Sequence, residues 1–420
     1  MIMLFARYAL CSSIWFTLHT LLIFAQSGKE LSPLQRIDPP FWWIGMSNPR
    51  VELLFYGKNI ARAQITCNYA GVKIVQRDTV ENPNYVFITL NISKNTSPGF
   101  VAFTVQSGGQ TLVRTIELRA RTKGSRERQG FNSSDVVYMI MPDRFANGDP
   151  TNDTIPGFPD GTDRDSLHFR HGGDIQGIIN HLDYIADLGM TAIWCTPLVE
   201  NNMDKYSYHG YACTDFYTVD RRFGTNDDYR RFVDSCHKRG LKVIQDVVLN
   251  HMGDKNYLAQ DPPSASWIND FAAAQASSNW RKEFRRPNYR ASTHSDPYAS
   301  DYDKRAMTER WFDWMMPDLN TNDPHLATYL IQNTIWWIEY AGIDGLRVDT
   351  YPYPSKEFTQ RWTKAILTEY PRLGIVGEVW INESVGMSSY WQAGACNKDG
   401  FNSFLPSITD FPLYSALVSA

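Results

Sequence analysis

The chain has 420 residues, enough for two or three domains with substantial cores. Its 41 Lys and Arg against 45 Asp and Glu give a formal charge of −4, so no basic surplus argues for a nucleic-acid partner. The 13 Trp and 22 Tyr suit sugar-ring stacking and aromatic cores equally, and by themselves decide nothing.

At the N-terminus, Arg7 precedes the apolar run YALCSSIWFTLHTLLIFA, which ends at the small residue Ala25 ahead of polar QSGKE. This is the pattern of a secretory signal peptide over 1–25, with a membrane anchor as the alternative for a run of that length. Cys11 lies inside the run, not at its end, so lipid attachment there is not expected. Cys67, Cys195, Cys213, Cys236 and Cys396 then remain, scattered and without CxxC spacing. They make neither a zinc framework nor a dense disulfide scaffold, although one or two bridges would be compatible with export.

Residues 26–122 read as all-β. VELLFYGKNI, RAQITC, GVKIVQRDTV, YVFITLNI, FVAFTVQSG and QTLVRTIELRA alternate, carry β-branched residues and are separated by turn signals. The spacing predicts a small immunoglobulin-like sandwich. RTKGSRERQG, 121–130, is a polar, basic boundary.

From 123 onward helix and strand alternate. IADLG-MTAIWCTP, CHKRG-LKVIQDVVLNH, EYAG-IDGLRVDTYP and PRLG-IVGEVWIN each place a helix, a glycine stop and a hydrophobic strand in succession. Glycine suits the left-handed C′ position after a helix. Asp323 and Pro324 read as cap and first turn of the helix that follows. Repeated αβ units imply a parallel sheet, and no GxGxxG or GxxxxGK[ST] supports a nucleotide-binding version. A (β/α)8-type TIM barrel over 123–420 is the expectation, with a small inserted B domain at about 252–318.

Barrel active sites form at the C-terminal strand ends, which here read MPDRF, TPLVE, DVVLNH, RVDTYP and GEVW. Asp349 and Glu378 end two consecutive strands, the fourth and fifth of the barrel. Two carboxyl groups about 5–5.5 Å apart are the arrangement for retaining glycoside hydrolysis. Arg347, two residues before Asp349, faces the same side and would hold that carboxylate ionised. Glu378, in a dry setting beside Trp380, would keep a raised pKa and act as acid and then base. Taken singly, an Arg/Asp pair at a strand end is more often structural.

A second cluster, DRFANGDPTND (143–153), crowds oxygen ligands at Asn147, Asp149, Asn152 and Asp153, as a hard cation such as calcium prefers. The bland reading is that such residues make turns.

Several segments together resemble the α-amylase superfamily, glycoside hydrolase family 13. DVVLNH (246–251), GLRVDTYPY (345–353) and GEVW (377–380) resemble its first three conserved regions, and MPDLN (316–320) an additional one with a neopullulanase and cyclomaltodextrinase form. IDPPFWWIGMSNPRVELLFYGKNI resembles the start of the N-terminal sandwich of cyclomaltodextrinase-like enzymes. The resemblance implies Asp349 as nucleophile, Glu378 as general acid/base, Arg347 as the residue orienting the nucleophile, and His251 as a sugar contact. In YHGYACTDFY (208–217), Tyr211 would stack on that sugar with His209 close by. It also implies a calcium loop that adds Gly172 and Asp174 of HGGD, Asp174 being a helix cap on the bland reading.

Departures accompany the matches. Pro352 and Tyr353 stand where many members carry Lys-His. No Asn-His-Asp fourth region, source of a third carboxylate, occurs in the sequence, and Asp410 comes too early to replace it. The barrel is therefore expected to be incomplete, about six of eight units, with exposed apolar edges. The resulting expectation is an exported, periplasmic α-glucan hydrolase cleaving α-1,4 bonds of starch-derived oligosaccharides or pullulan. Its partners would be the glucan substrate and, because relatives often pair through the N-terminal domain, a second copy. No nucleic acid and no membrane anchor after signal removal are expected. The alternatives are a transglycosylase or α-1,6-cleaving relative on the same scaffold, and a non-catalytic glucan-binding protein or inactive fragment.

Overall fold

The computed structural model describes residues 34–382 and 384–420, so the apolar N-terminal run and Cys11 lie outside the described residues. Eight strands form the first domain: β1 (Arg36–Asp38), β2 (Phe41–Trp43), β3 (Arg50–Tyr56), β4 (Gln64–Cys67), β5 (Val72–Thr79), β6 (Tyr85–Ile92), β7 (Gly99–Ser107) and β8 (Gln110–Arg119). They pair as two sheets, β1-β3-β6-β5 and β2-β8-β7-β4. Alternation decides which face is buried: Val51, Leu53 and Phe55 of β3 and Val86, Ile88 and Leu90 of β6 meet Val101, Phe103 and Val105 of β7. Phe55 and Phe103 close the gap between the sheets with ring centroids 5.4 Å apart.

The second domain is built on six parallel strands: β9 (Val137–Ile140), β10 (Ala192–Cys195), β13 (Lys242–Val248), β14 (Gly345–Asp349), β15 (Gly374–Gly377) and β16 (Ser407–Ile408). A short antiparallel ribbon, β11 (Val199–Glu200) with β12 (Asp215–Val219), leaves the sheet between β10 and β13. The spatial order follows the chain, β9-β10-β13-β14-β15-β16, as in successive units of a barrel. The sheet stays open, and Val137 and Met139 on its β9 edge are exposed, as are Leu413, Leu417 and Val418 of the helix Phe411–Ser419. Asp410 caps that helix by accepting from the Leu413 N–H at 3.0 Å, which gives this acid a local structural role.

The helix Pro324–Ala341 starts and stops as its sequence dictates. Asp323 Oδ1 accepts from the His325 and Leu326 amides at 2.9 and 3.0 Å, and Gly342 ends the helix at φ +83°. Its buried face carries Trp336 and Trp337, and Trp336 meets Phe41 of the sandwich at 4.9 Å. Between β13 and this helix, residues 249–323 form short helices held by the bridges His251 to Asp318 and Ile268 to Leu319. Phe131, from the linker, fills the space that side chains on Gly345 and Gly374 would take. A Cβ at either glycine would lie 2.3 or 2.5 Å from its ring. Among the described residues no helix is long and apolar enough to cross a membrane, and the five described cysteines are all free.

Arg121, at the end of the sandwich, ties the two domains together. Its guanidinium reaches Glu339 and Glu369, each at 2.5 Å, on two barrel helices. The Glu339 side chain is fully enclosed, so removal of the cation leaves a buried charge with only the Tyr370 hydroxyl, 2.9 Å away, in compensation. Arg121→Met is expected to destabilise the protein by about 3 kcal/mol, read as a lower urea midpoint.

Candidate active site

The parallel register sets the site. Asp246 on β13 lies opposite Arg347 on β14, and Val248 opposite Asp349. Glu378 follows β15 directly, and its amide continues the ladder by donating to the Val348 carbonyl at 2.8 Å. Three consecutive strands thus bring three carboxyl groups to one guanidinium. Arg347 Nη1 lies 3.0 Å from Asp246 Oδ1 and 2.8 Å from Asp349 Oδ1, while Nη2 lies 2.7 Å from Glu378 Oε1.

One cation cannot offset three buried anions, and the acids respond. Burial pushes Asp246 up to about 7, even with Arg347 and the Trp194 indole opposing the shift. Glu378 is also raised, first by burial and then by the like charge of Asp349. Arg347 gathers the pair at one guanidinium, holding Asp349 through Nη1 and Glu378 through Nη2. The dry setting expected for Glu378 is present, but Trp380 does not provide it. That indole is 61% exposed and lies flat against Phe411, centroids 5.1 Å apart.

Thr350 links Asp349 and Glu378. Its amide donates to Glu378 Oε2 at 2.9 Å and its hydroxyl to Asp349 Oδ2 at 3.2 Å. To do so it takes φ +43°, a left-handed backbone that a β-branched residue rarely adopts, which is strain held at the site. Asp246 is held from behind: the Trp194 indole and the Tyr211 hydroxyl each donate to its Oδ2 at 3.0 Å. Tyr211, expected to face a sugar, spends its hydroxyl here and keeps its ring near Arg347. Its amide donates to His209 Nδ1 at 2.9 Å, and the two rings lie 5.7 Å apart.

His251 is buried with Nε2 lacking any hydrogen-bond partner. Phe312, at 5.5 Å, packs beside its ring, and Tyr353 lies 4.7 Å from Phe312. Tyr353, from the segment that departs from the family pattern, therefore becomes part of an aromatic wall. Burial drives His251 and His209 down to about 4, which keeps both imidazoles neutral at neutral pH.

Asp246, Trp194 and Thr350 were missed as individual site residues. The first two sit inside DVVLNH and MTAIWCTP, and for Asp246 a charged residue within a hydrophobic strand was the available signal. Nothing in the sequence marks the backbone of Thr350.

The proposed cation loop converges in part. Asn147 Nδ2 donates to both Asp153 oxygens, at 2.8 and 3.0 Å, and Gly172 approaches so closely that a Cβ would lie 2.6 Å from Asp153 Oδ1. Asn147 Oδ1 and Asn152 Oδ1 are buried without partners. Unpaired amide oxygens beside a carboxylate are an all-oxygen set that fits a hard cation. Asp174 caps the helix Ile175–Asn180 through the Gly177 amide at 2.6 Å and also accepts from Asp149 N at 2.8 Å. Asp149 accepts from Thr151 N at 3.1 Å. These two acids thus fill the cap and turn roles, Asp174 also accepting from the Gly148 amide at 3.2 Å.

Paired acids on one arginine, at the C-terminal ends of parallel barrel strands, define a site of the glycoside-hydrolase kind. Residues 139–404 match the α-amylase catalytic domain and residues 36–122 the cyclomaltodextrinase N-terminal domain, so the chain belongs to the α-amylase family. It is 34% identical over 293 residues to a cyclomaltodextrinase of Thermoanaerobacter pseudethanolicus, covering 69% of this chain and 44% of that protein. It is 32% identical over 264 residues to neopullulanase 2 of Thermoactinomyces vulgaris, covering 59% and 39%. Among solved structures, an Anoxybacillus α-amylase matches with a TM-score of 0.51 and 31% identity, over 71% of this chain and 55% of that one. The chain spans less than half the length of these curated relatives.

The buried histidines carry a pH signature. A folded-state pKa of about 4 for His251, below about 6.5 for an unfolded histidine, means the unfolded state takes up its proton first on acidification. The His251 contribution to stability is complete above about pH 6.5 and is lost toward pH 4. Between pH 7 and 4.5 the urea midpoint should therefore fall less steeply in His251→Gln than in the parent.

Proposed function

We propose that the protein is a retaining α-glucan hydrolase of the neopullulanase and cyclomaltodextrinase kind, cleaving α-1,4 bonds of starch-derived oligosaccharides. The observation that carries this reading is Asp349 and Glu378 at neighbouring strand ends, both gripped by Arg347. The names of the two curated relatives agree with it.

In the first step the Asp349 carboxylate attacks the anomeric carbon while Glu378 gives its proton to the departing glycosidic oxygen. The bond from Asp349 to the sugar forms as the glycosidic bond breaks. Water then attacks the same carbon, giving its proton to Glu378, and Asp349 leaves with overall retention. The raised Glu378 pKa keeps the acid form available above the ordinary carboxylate range. Arg347 and Thr350 hold Asp349 through Oδ1 and Oδ2, fixing the angle of attack. The free Nε2 of neutral His251 is offered to a sugar hydroxyl, and Tyr211 presents its ring to the same sugar.

Calcium, held through Asn147, Asn152, Asp153 and the Gly172 segment, is proposed as a structural ion that would fasten the loop after β9 to the segment 172–174. Export to the periplasm through the 1–25 segment and pairing of two copies through the sandwich complete the proposal.

Glu378→Gln is expected to lower kcat on maltotetraose about 10³-fold while sparing the fluoride-releasing first step with α-maltosyl fluoride, whose leaving group needs no proton, so that the glycosyl ester accumulates. Proton NMR of the first-formed product should show the α-anomer, and a trapped glycosyl ester should map to Asp349. A β-anomer, or an ester elsewhere, would sink the reading. Chelation followed by calcium add-back should lower and then restore the melting temperature, with Asp153→Asn insensitive to both.

A further inference from the structure

A second group of ligating side chains lies where the sandwich meets the barrel. It draws Glu52 from β3, Asp78 from β5 and His325 from the first turn of the helix Pro324–Ala341. Strands β3 and β5 flank β6, and the register places Glu52 opposite Thr89 and Asp78 opposite Phe87. Leu53, Val86 and Ile88 alternate with these positions and point into the sandwich core, so Glu52 and Phe87 face the barrel. There Phe87 lies flat on His325, centroids 4.1 Å apart at 13°.

Asp78 reaches this face only through an irregularity in its strand. Ile74 pairs with Leu90 and Gln76 with Thr89, leaving Val75 as an extra residue. This bulge reverses the inside–outside phase of β5. Before it, Val72 and Ile74 share the core-facing side of Ile92 and Leu90; after it, Gln76 and Asp78 share the barrel-facing side of Thr89 and Phe87. A regular strand would have kept Asp78 on the side of Ile74. The bulge instead delivers a second carboxylate to a histidine that already has one, His325 Nδ1 lying 3.0 Å from Glu52 Oε2. Asp323, the cap of the same helix, adds further negative charge nearby.

One nitrogen of His325 and one oxygen of each acid lie within 4.8 Å of one another. Donors about 2.0–2.1 Å from a tetrahedral zinc ion stand roughly 3.4 Å apart, a contraction within the reach of side-chain rotation. An imidazole with two carboxylates suits a borderline transition-metal ion better than calcium or magnesium, which favour oxygen alone. We propose that Glu52, Asp78 and His325 form a binding site for a divalent ion of the zinc class that staples the sandwich to the barrel. The site is independent of the carboxylate pair and of the oxygen-rich loop at 147–153.

The test is calorimetric titration of the chelator-stripped full chain with zinc chloride, in excess calcium so that all-oxygen sites are filled. One zinc per chain is expected to bind, with a dissociation constant on the order of micromolar or tighter, and to raise the melting temperature. Asp78→Asn and His325→Ala should each weaken binding about tenfold or more and abolish the thermal shift. Asp78 is half-exposed on a surface strand, so its variant reports on binding even if His325→Ala folds poorly. Copper(II) placed in the site should show hyperfine coupling to one imidazole nitrogen. Absence of saturable binding, or binding unchanged in Asp78→Asn, overturns the proposal.

Discussion

Everything at the candidate site turns on one guanidinium serving three acids. Arg347 receives Asp246, Asp349 and Glu378 from three adjacent strands. Burial, and then the like charge of Asp349, raises Asp246 and Glu378 against the pull of Arg347. Asp246 does not face the cleft as the pair does. It is fully enclosed, fixes Arg347 from behind and is itself fixed by Trp194 and Tyr211. Geometry and protonation therefore have a single origin.

That origin depends on strand register, and register depends on close packing beneath the site. A Cβ on Gly377 would meet Leu405 at 2.7 Å and Tyr351 at 2.9 Å, so the strand before Glu378 is seated by contact with the loop that follows Asp349. Tyr351 is anchored in turn by Thr363 Oγ1 at 2.8 Å. The strain at Thr350 persists because these neighbours determine the backbone on both sides. On the outer surface, Arg121 and the contact of Phe41 with Trp336 bind the sandwich to the helices that cover the same strands.

Much of this was legible in the residues. The left-handed glycines after helices at Gly189, Gly240 and Gly342, the Asp323 cap and the alternation of the first domain each follow from local chemistry and are present, whereas Gly374 opens β15, the helix before it having ended at Glu369. Asp349, Glu378 and Arg347 announced themselves by their positions at strand ends. Asp246 lay within a quoted motif, but its role needs the β13–β14 register, which one sequence does not print. Trp380 was misassigned because the residue after a strand end has no fixed facing; its ring turned outward to Phe411. The bulge at Val75 and the left-handed Thr350 are backbone events with no side-chain signature, and both re-aim a neighbouring acid.

Phe131 has a bearing on how the two domains can be recombined. It comes from the linker, yet its ring completes the floor of the barrel between Gly345 and Gly374, and the Gly130 amide donates to Arg372 at 2.9 Å just before β15. The connecting segment is thus a component of the second domain and not a tether between two finished bodies. A barrel cut away at the apparent linker would lose its keystone, and a foreign sandwich grafted there would have to bring the native residues 121–131 with it. Modularity in this molecule has its seam at the end of the first domain's last strand, Gln110–Arg119, ahead of the polar stretch that looks like the hinge.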